Sequence, residues 1–386
     1  MRPAQFTAPP LATPPDTASE AVRHWTMMLG VHGQQVTGTT DASVSVDSLL
    51  NTLSGGPDTR VIALAVVDDG DPTTAVALSS AETSDLGYPL IPSTGDAPAP
   101  DVYAWAVLSL PLRENVTVCG AEITLDVPFL PLPGEPLGDL GRAAVDAVVT
   151  EIENVCRSLG RTVIQIRQLG APDTASADPS DPVLRARGFT PVLVEEQASV
   201  PVPADPSPCR IPAGFSTAIF PGMCPANATD RIIDGLCRLL EVFSADLPVG
   251  DLFSQPQSWD RERLERADRD ARSTGRSIVW AMVLDGSGVP VAVSGFSRDP
   301  SDRPGVARQM LTVVDRRHRG TGLSRAVKTA LAVAARDTGV NRIHTSVTAT
   351  GATPVSVLNG EWGAELLARD VHWQKEGVGT GGTTRC

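Results

Sequence analysis

The chain has 386 residues, 41% apolar and 20% charged, with 33 prolines and 34 glycines; this is globular, turn-rich and longer than one domain of ordinary size. Its formal net charge of −13 is uneven: residues 1–205 hold 10 Lys/Arg against 26 Asp/Glu, and residues 206–386 hold 22 against 19. A first half at −16 argues against a nucleic-acid partner and leaves any phosphate-bearing ligand to the second half, at +3.

Residues 1–20 combine dense proline with low hydrophobicity and read as a disordered N-terminus, without the basic start and apolar stretch of a secretory signal. No run approaches the ~20 apolar residues of a membrane span, so the expectation is a cytoplasmic protein with no membrane partner, monomeric or homodimeric. Structure is expected from residue 21. Residues 61–67 and 75–78 read as a strand pair around an Asp-Asp-Gly-Asp turn, and 102–110 and 121–127 as further strands. Leu140, Ala144, Val148, Ile152, Val155 and Leu159 mark one face of an amphipathic helix ended by Gly160, and residues 162–166 form the next strand. Residues 201–212, with five prolines, are the natural linker.

The second half repeats this order. Ile219 stands in a first strand, 232–243 and 261–271 are helices, and 278–284 pairs with 291–296 around Asp285-Gly-Ser-Gly. Residues 310–314 are a strand, Leu323, Ala326, Val327, Ala330, Leu331 and Ala334 mark a helix closed by Gly339, and 343–347 are a strand. The fold class is therefore α/β (α+β): two related domains in tandem, each a mixed, mostly antiparallel sheet flanked by helices. The six cysteines, at 119, 156, 209, 224, 237 and 386, have no C-x-x-C pair and no zinc-like spacing with the histidines, so they read as free thiols and no metal is implied.

One segment carries chemistry. Thr312-Val-Val-Asp-Arg-Arg-His-Arg-Gly-Thr-Gly-Leu-Ser puts a strand, a glycine turn and a helix start in succession. Unpaired N–H groups at a helix N-terminus favour a pyrophosphate, and Gly320 and Gly322 let it approach the backbone. No acid occurs from Arg316 to Arg336, whereas Arg316, Arg317, Arg319, Arg325, Lys328 and Arg336 are cationic. The pattern Arg317-x-x-Gly320-x-Gly322, between an apolar strand and an amphipathic helix, resembles the acetyl-CoA loop of the GNAT superfamily. The segment from Asp246-Leu-Pro-Val-Gly-Asp-Leu to Trp259-Asp260, Gln309-x-x-Thr312, Lys328, and Pro354 to Asn359 followed by Trp362-Gly363 are similar to an actinobacterial group of the same superfamily.

The resemblance implies an acetyl-CoA-dependent N-acetyltransferase in which the primary amine of a small molecule attacks the thioester directly. It gives a disordered N-terminus 1–20, a degenerate GNAT-like domain 21–200, a linker 201–212, an acetyltransferase domain 213–376 and a flexible tail 377–386. Val313 and Val314 would bond the pantetheine through their backbone. Arg317, His318, Arg319, Gly320, Thr321, Gly322, Leu323 and Ser324 would hold the pyrophosphate, and Asn359 would reach the pantetheine or the sulfur. The tyrosine that commonly serves the family as general acid is replaced by Asn359, and both tyrosines, Tyr88 and Tyr103, lie in the first half. Ala352 and Ala364 depart from the family pattern in the same segment. Asp246, Asp251 and Asp260, at the position of the acceptor loop, and His344 are the candidate bases. In the first half, Pro131-Leu-Pro-Gly-Glu-Pro-Leu-Gly-Asp139 replaces the loop; its prolines remove N–H donors and its acids repel phosphate, with Asp139 read as the helix N-cap. Two further readings stay open: an acetyltransferase resembling mycothiol synthase, and a non-catalytic acyl-CoA-binding sensor or assembly module.

Overall fold

The computed structural model describes residues 1–40, 43–79, 81–132, 134–172, 178–205, 211–349 and 354–378. The chain divides into two compact units: residues 1–194, 250–253 and 368–386 form the first, and residues 195–249 and 254–367 the second.

The first unit contains β1 (Arg2–Phe6), α1 (Glu20–Thr37), α2 (Val46–Ser54), β2 (Thr59–Val67), α3 (Pro72–Ser79), β3 (Leu90–Ile91), β4 (Val102–Pro111), β5 (Val118–Leu125), α4 (Asp139–Ser158), β6 (Val163–Gly170), α5 (Asp181–Ala186) and the start of β7 (Thr190–Pro201). Its strands lie in the order β3-β1-β2-β4-β5-β6, antiparallel except for β1 with β3 and β5 with β6. One face packs against α4 around Val145, Val148 and Ile152, and the other against α1 and α2 around Trp25, Leu50 and Trp105.

Two readings of this half are corrected. Residues 2–6, expected to be disordered, are a strand because Ala4 and Phe6 alternate into the core at 0% and 2% exposure. Residues 75–78, read as a strand, belong to α3: Pro72 starts the helix and the Asp71 carboxylate accepts from the Thr74 N–H at 2.8 Å. The N-cap of α4 is Gly138, one residue before Asp139.

The second unit contains the rest of β7, then β8 (Ser216–Pro221), α6 (Asp230–Asp246), α7 (Arg261–Ser273), β9 (Ser277–Leu284), β10 (Pro290–Arg298), β11 (Val306–Val314), α8 (Leu323–Asp337), β12 (Arg342–Thr348) and α9 (Pro354–Glu361). Its strand order is β7-β12-β11-β10-β9-β8, with only β11 and β12 parallel. Trp280 and Leu311 pack under α6 and α7; Phe296, Ala307 and Ile343 pack under α8, whose buried face is built from Ala, Val and Leu. Gly295 is required by that core, since a Cβ there would lie 2.2 Å from the Trp280 ring.

The last strand, β13 (Glu365–Glu376), runs from the second unit into the first, where Arg369 to Glu376 pair antiparallel with β6. Conversely, Glu195 to Pro201 of β7 pair with β12. The stretch 201–212 read as a linker thus opens on the last residue of a strand, and its residues 206–210 lie outside the described residues. In the tail, Val378 is buried and its N–H reaches the Thr162 carbonyl at 3.2 Å; residues 379–386 lie outside the described residues.

Candidate functional site

The sequence around Gly320 occupies a gap in the second sheet. β11 follows β10 from Arg308 to Val314 but pairs with β12 only through Val306, Ala307 and Arg308, opposite Arg342, Ile343 and His344. Beyond that point β12 keeps its pairing with β7, and among the described residues no strand pairs with the edge of β11 that faced it. The cause is local. The register between β10 and β11 slips between Gly295 and Phe296, leaving Met310 as the extra residue of a bulge that turns β11 away from β12. The Gln309 amide secures the bulge, donating to Leu311 O at 2.7 Å, Gly295 O at 2.8 Å and Ser294 Oγ at 3.1 Å; Ser294 Oγ lies 2.7 Å from Thr312 Oγ1. The Gln309-x-x-Thr312 pattern therefore meets through Ser294, which sequence reasoning did not single out.

At the open end, Val313 and Val314 stand opposite Val293 and Ala292 of β10, and the Val314 carbonyl accepts from Arg319 Nε at 3.1 Å. Asp315 then closes the strand: its N–H reaches Val291 O at 2.8 Å, its carboxylate accepts from Arg317 N at 3.0 Å, and its other oxygen holds Arg238 of α6. A short 3-10 turn, Arg316–His318, leads to Gly320 (φ +73°) and Gly322 (φ +84°), the N-cap of α8. Both glycines are in the left-handed region, and a Cβ on either would meet nothing within 4 Å. Among the described residues, the N–H groups of Gly320, Thr321, Gly322, Leu323 and Ser324 find no acceptor in the protein, which leaves a concave run of donors at the positive end of a helix. The His318 ring packs edge-on against Phe215, with centroids 5.6 Å apart.

The charge at this loop is lower than the sequence implies. Asp246, the last residue of α6, binds both Arg316, whose Nε is 3.1 Å from each carboxylate oxygen, and Arg319. The hydrogen bond from Arg316 leads the effects that draw the Asp246 carboxyl down to about 2. Asp246 is thus an ionised clamp on the loop. Arg325 pairs with Glu361 at 2.6 Å and Arg336 with Asp337 at 3.0 Å, so Arg317 is the loop arginine without an ion pair among the described residues. Asp260 caps α7, accepting from Arg263 N at 2.7 Å.

Of the three residues put forward for chemistry, Asn359 and His344 belong to the second unit and Asp251 to the first. Asn359, on α9, is 3% exposed; its Oδ1 accepts from the Lys328 Nζ of α8, and its carbonyl accepts from Trp362 N at 3.1 Å and Ala364 N at 3.0 Å. Lys328 is also 3% exposed, and burial pulls its ammonium down to about 8. Beside it is a cavity of about 10 Å³, room for one water, lined among others by Val200, Gln309, Leu331, Ile343 and Trp362. His344 lies at the zipped end of the β11–β12 gap. Asp251 belongs to the first compact unit, where its N–H reaches Val192 O at 3.3 Å and its carbonyl accepts from Gln374 at 3.4 Å. Ala352 lies outside the described residues. Among the described residues, no group of three or more His, Cys, Asp or Glu is placed to hold a metal ion, and no helix is long and apolar enough to cross a membrane.

The corresponding place in the first unit is built differently. β5 and β6 stay paired from Val118 to Glu122. The loop before α4 packs back on the helix, so that a Cβ on Gly141 would lie 2.9 Å from Phe129 O, and Arg142 folds over the first turn to bond Leu137 O and Asp139. Gly138 caps the helix at φ −64°, without the left-handed geometry of Gly322.

No protein-family model matches the sequence, and no curated protein matches it either. Solved structures match the fold. A tandem GNAT protein from the clavulanic acid biosynthesis pathway, solved without AcCoA, aligns with a TM-score of 0.63 at 17% identity over 97% of this chain and 98% of its own. A GCN5-related N-acetyltransferase from Sphaerobacter thermophilus aligns with a TM-score of 0.57 at 17% identity, over 95% and 94% of the two chains. The GCN5-related glucosamine N-acetyltransferase region of a fungal multi-domain GH3 β-N-acetylglucosaminidase gives 0.54 at 9% identity, over 92% of this chain and 37% of that one.

Proposed function

From a chain that has the tandem GNAT fold, we propose an acetyl-CoA-dependent N-acyltransferase whose donor site is in the second unit. The observation that carries the reading is the parted end of β11 and β12 opening onto the free N–H groups at Gly320 and Gly322. The diphosphate would take the N–H groups of residues 320–324 with the Arg317 guanidinium, displacing Arg319 from Asp246 as needed. The pantetheine arm, an amide chain, would add to the strand-unpaired edge of β11 at Val313 and Val314 as a short strand does, replacing Arg319 Nε at the Val314 carbonyl. The thioester would then lie near the bulge, where a primary amine would attack the carbonyl carbon, the C–S bond would break and the thiolate would leave. The protein's share is positioning and charge stabilisation. Asn359 is the polar side chain nominated for the thioester end, and His344 and Asp251 remain the nominated proton acceptors.

A second reading, a binding module without turnover, is favoured by the lack of any tyrosine between residues 195 and 367. Calorimetry with acetyl-CoA, followed by release of free CoA thiol across a panel of primary amines, tests both. Binding with amine-dependent thiol release supports the enzyme, binding alone supports the module, and no binding removes both.

A further inference from the structure

The buried face of α8 is made of Leu323, Ala326, Val327, Leu331, Ala332, Ala334 and Ala335, with one exception, Lys328. A lysine at 3% exposure costs stability unless its ammonium is matched, and among the described residues no carboxylate pairs with it. Burial alone accounts for its lowered proton affinity. Of the elements packed on this part of α8, β8 and β9 carry no charged residue and β10 only Arg298. Arg308 of β11 is tied to Asp302, and Glu361 of α9 to Arg325. β12 contributes Arg342 and His344, and β7 contributes Glu195 and Glu196. What Lys328 does contact is specific: Nζ donates to Asn359 Oδ1 and stands 5.5 Å from the centroid of the Trp362 ring.

An asparagine amide has two faces of opposite character, an acceptor oxygen and a donor NH₂, and its environment selects which is presented. An ammonium has donors only. We propose that Lys328 is a positioning residue that holds the Asn359 oxygen, so that the group Asn359 offers a ligand is the donor Nδ2–H₂. This rests on the acyltransferase reading, and it gives Asn359 a definite role there: its N–H stabilises negative charge building on the thioester oxygen or on the departing sulfur, without transferring a proton. The lysine is charged at pH 7, so the amide is oriented; above about pH 8 the neutral amine can also accept, and the orientation is released.

The test uses the whole chain. Asn359→Asp keeps the shape and the Lys328 contact but removes the donor. It is expected to fold, with Tm no lower than wild type and KM for acetyl-CoA within about 3-fold, while kcat drops at least ~30-fold, as for an interaction made only in the transition state. Lys328→Met is expected to lower kcat about 10-fold, and Lys328→Arg to recover most of it. Wild-type kcat in Asn359→Asp, or in a folded Lys328→Met, overturns the proposal. Should the wild type release no thiol with any amine, the enzyme reading fails separately, and the side-chain amide spectrum then judges Lys328. The cross-peak missing from Asn359→Asp should move with pH around 8 in wild type and stay fixed in Lys328→Met; a peak indifferent to pH in wild type overturns the orientation.

Discussion

Gly320→Glu, compared with Gly320→Ala, separates the backbone requirement of the donor loop from its electrostatics. At φ +73°, either side chain costs about 1–2 kcal/mol for occupying the left-handed region. Because nothing lies within 4 Å of the added Cβ, no clash adds to that. For a domain of this size both variants should therefore melt only about 2–4 °C lower per kcal/mol. The glutamate adds one negative charge roughly 6 Å from a diphosphate carrying about two, a repulsion of about 1.4 kcal/mol at the dielectric constant of water and about 5 at an effective value of 20. Calorimetric titration with acetyl-CoA should accordingly show a loss of ~10-fold to more than 1,000-fold for Gly320→Glu and a clearly smaller loss for Gly320→Ala, at equal Tm. A folded Gly320→Glu protein that binds with wild-type affinity would refute the location of the site.

Asp246→Asn frees Arg316 and Arg319 and removes one negative charge about 7 Å from a bound diphosphate carrying about two, so acetyl-CoA should bind about 7-fold tighter at low ionic strength, with the gain gone at high salt. Since the Arg316 and Arg319 pairs draw its carboxyl down to about 2 in the fold against a usual 3.8, the stability from these pairs is full above pH 3.8 and lost as pH falls through 2; wild type should be more stable than Asp246→Asn by a constant margin above pH 3.8, and the margin should disappear as pH falls through 2. Tyr88→Phe and Tyr103→Phe should keep wild-type turnover, although Tyr88→Phe gives up its 2.7 Å bond to Glu151 and should melt slightly lower. Each chain should bind one CoA: two equivalent sites by calorimetry, or a site that survives Gly320→Glu, would place a donor site in the first unit.

The strand, turn and helix around Gly320 are legible in the sequence because every determinant is local: the apolar run, the two glycines and the helical spacing lie within some twenty residues. Asp246 reads as a possible base because nothing in the sequence shows that the end of α6 meets Arg316 and Arg319, 70 and 73 positions away. The Lys328–Asn359 bond, between two helices, was hidden for the same reason. Residues 75–78 misled because Ala-Val-Ala-Leu suits either period, and the decisive signs, Asp71 and Pro72, precede the run. In β1, two apolar residues in a proline-rich setting say little until β2 lies beside them.

The pairing of Arg369 to Glu376 with β6 also sets a timetable for biosynthesis. At about 5–20 residues per second, roughly ten to forty seconds separate the emergence of β6 from that of its antiparallel neighbour. Until then β6 keeps an unsatisfied edge, a template for strands of other nascent chains. A stop codon anywhere before residue 368 would leave that edge open permanently, so even a short C-terminal truncation, distant in sequence from residues 1–194, should show itself first as aggregation of the N-terminal unit.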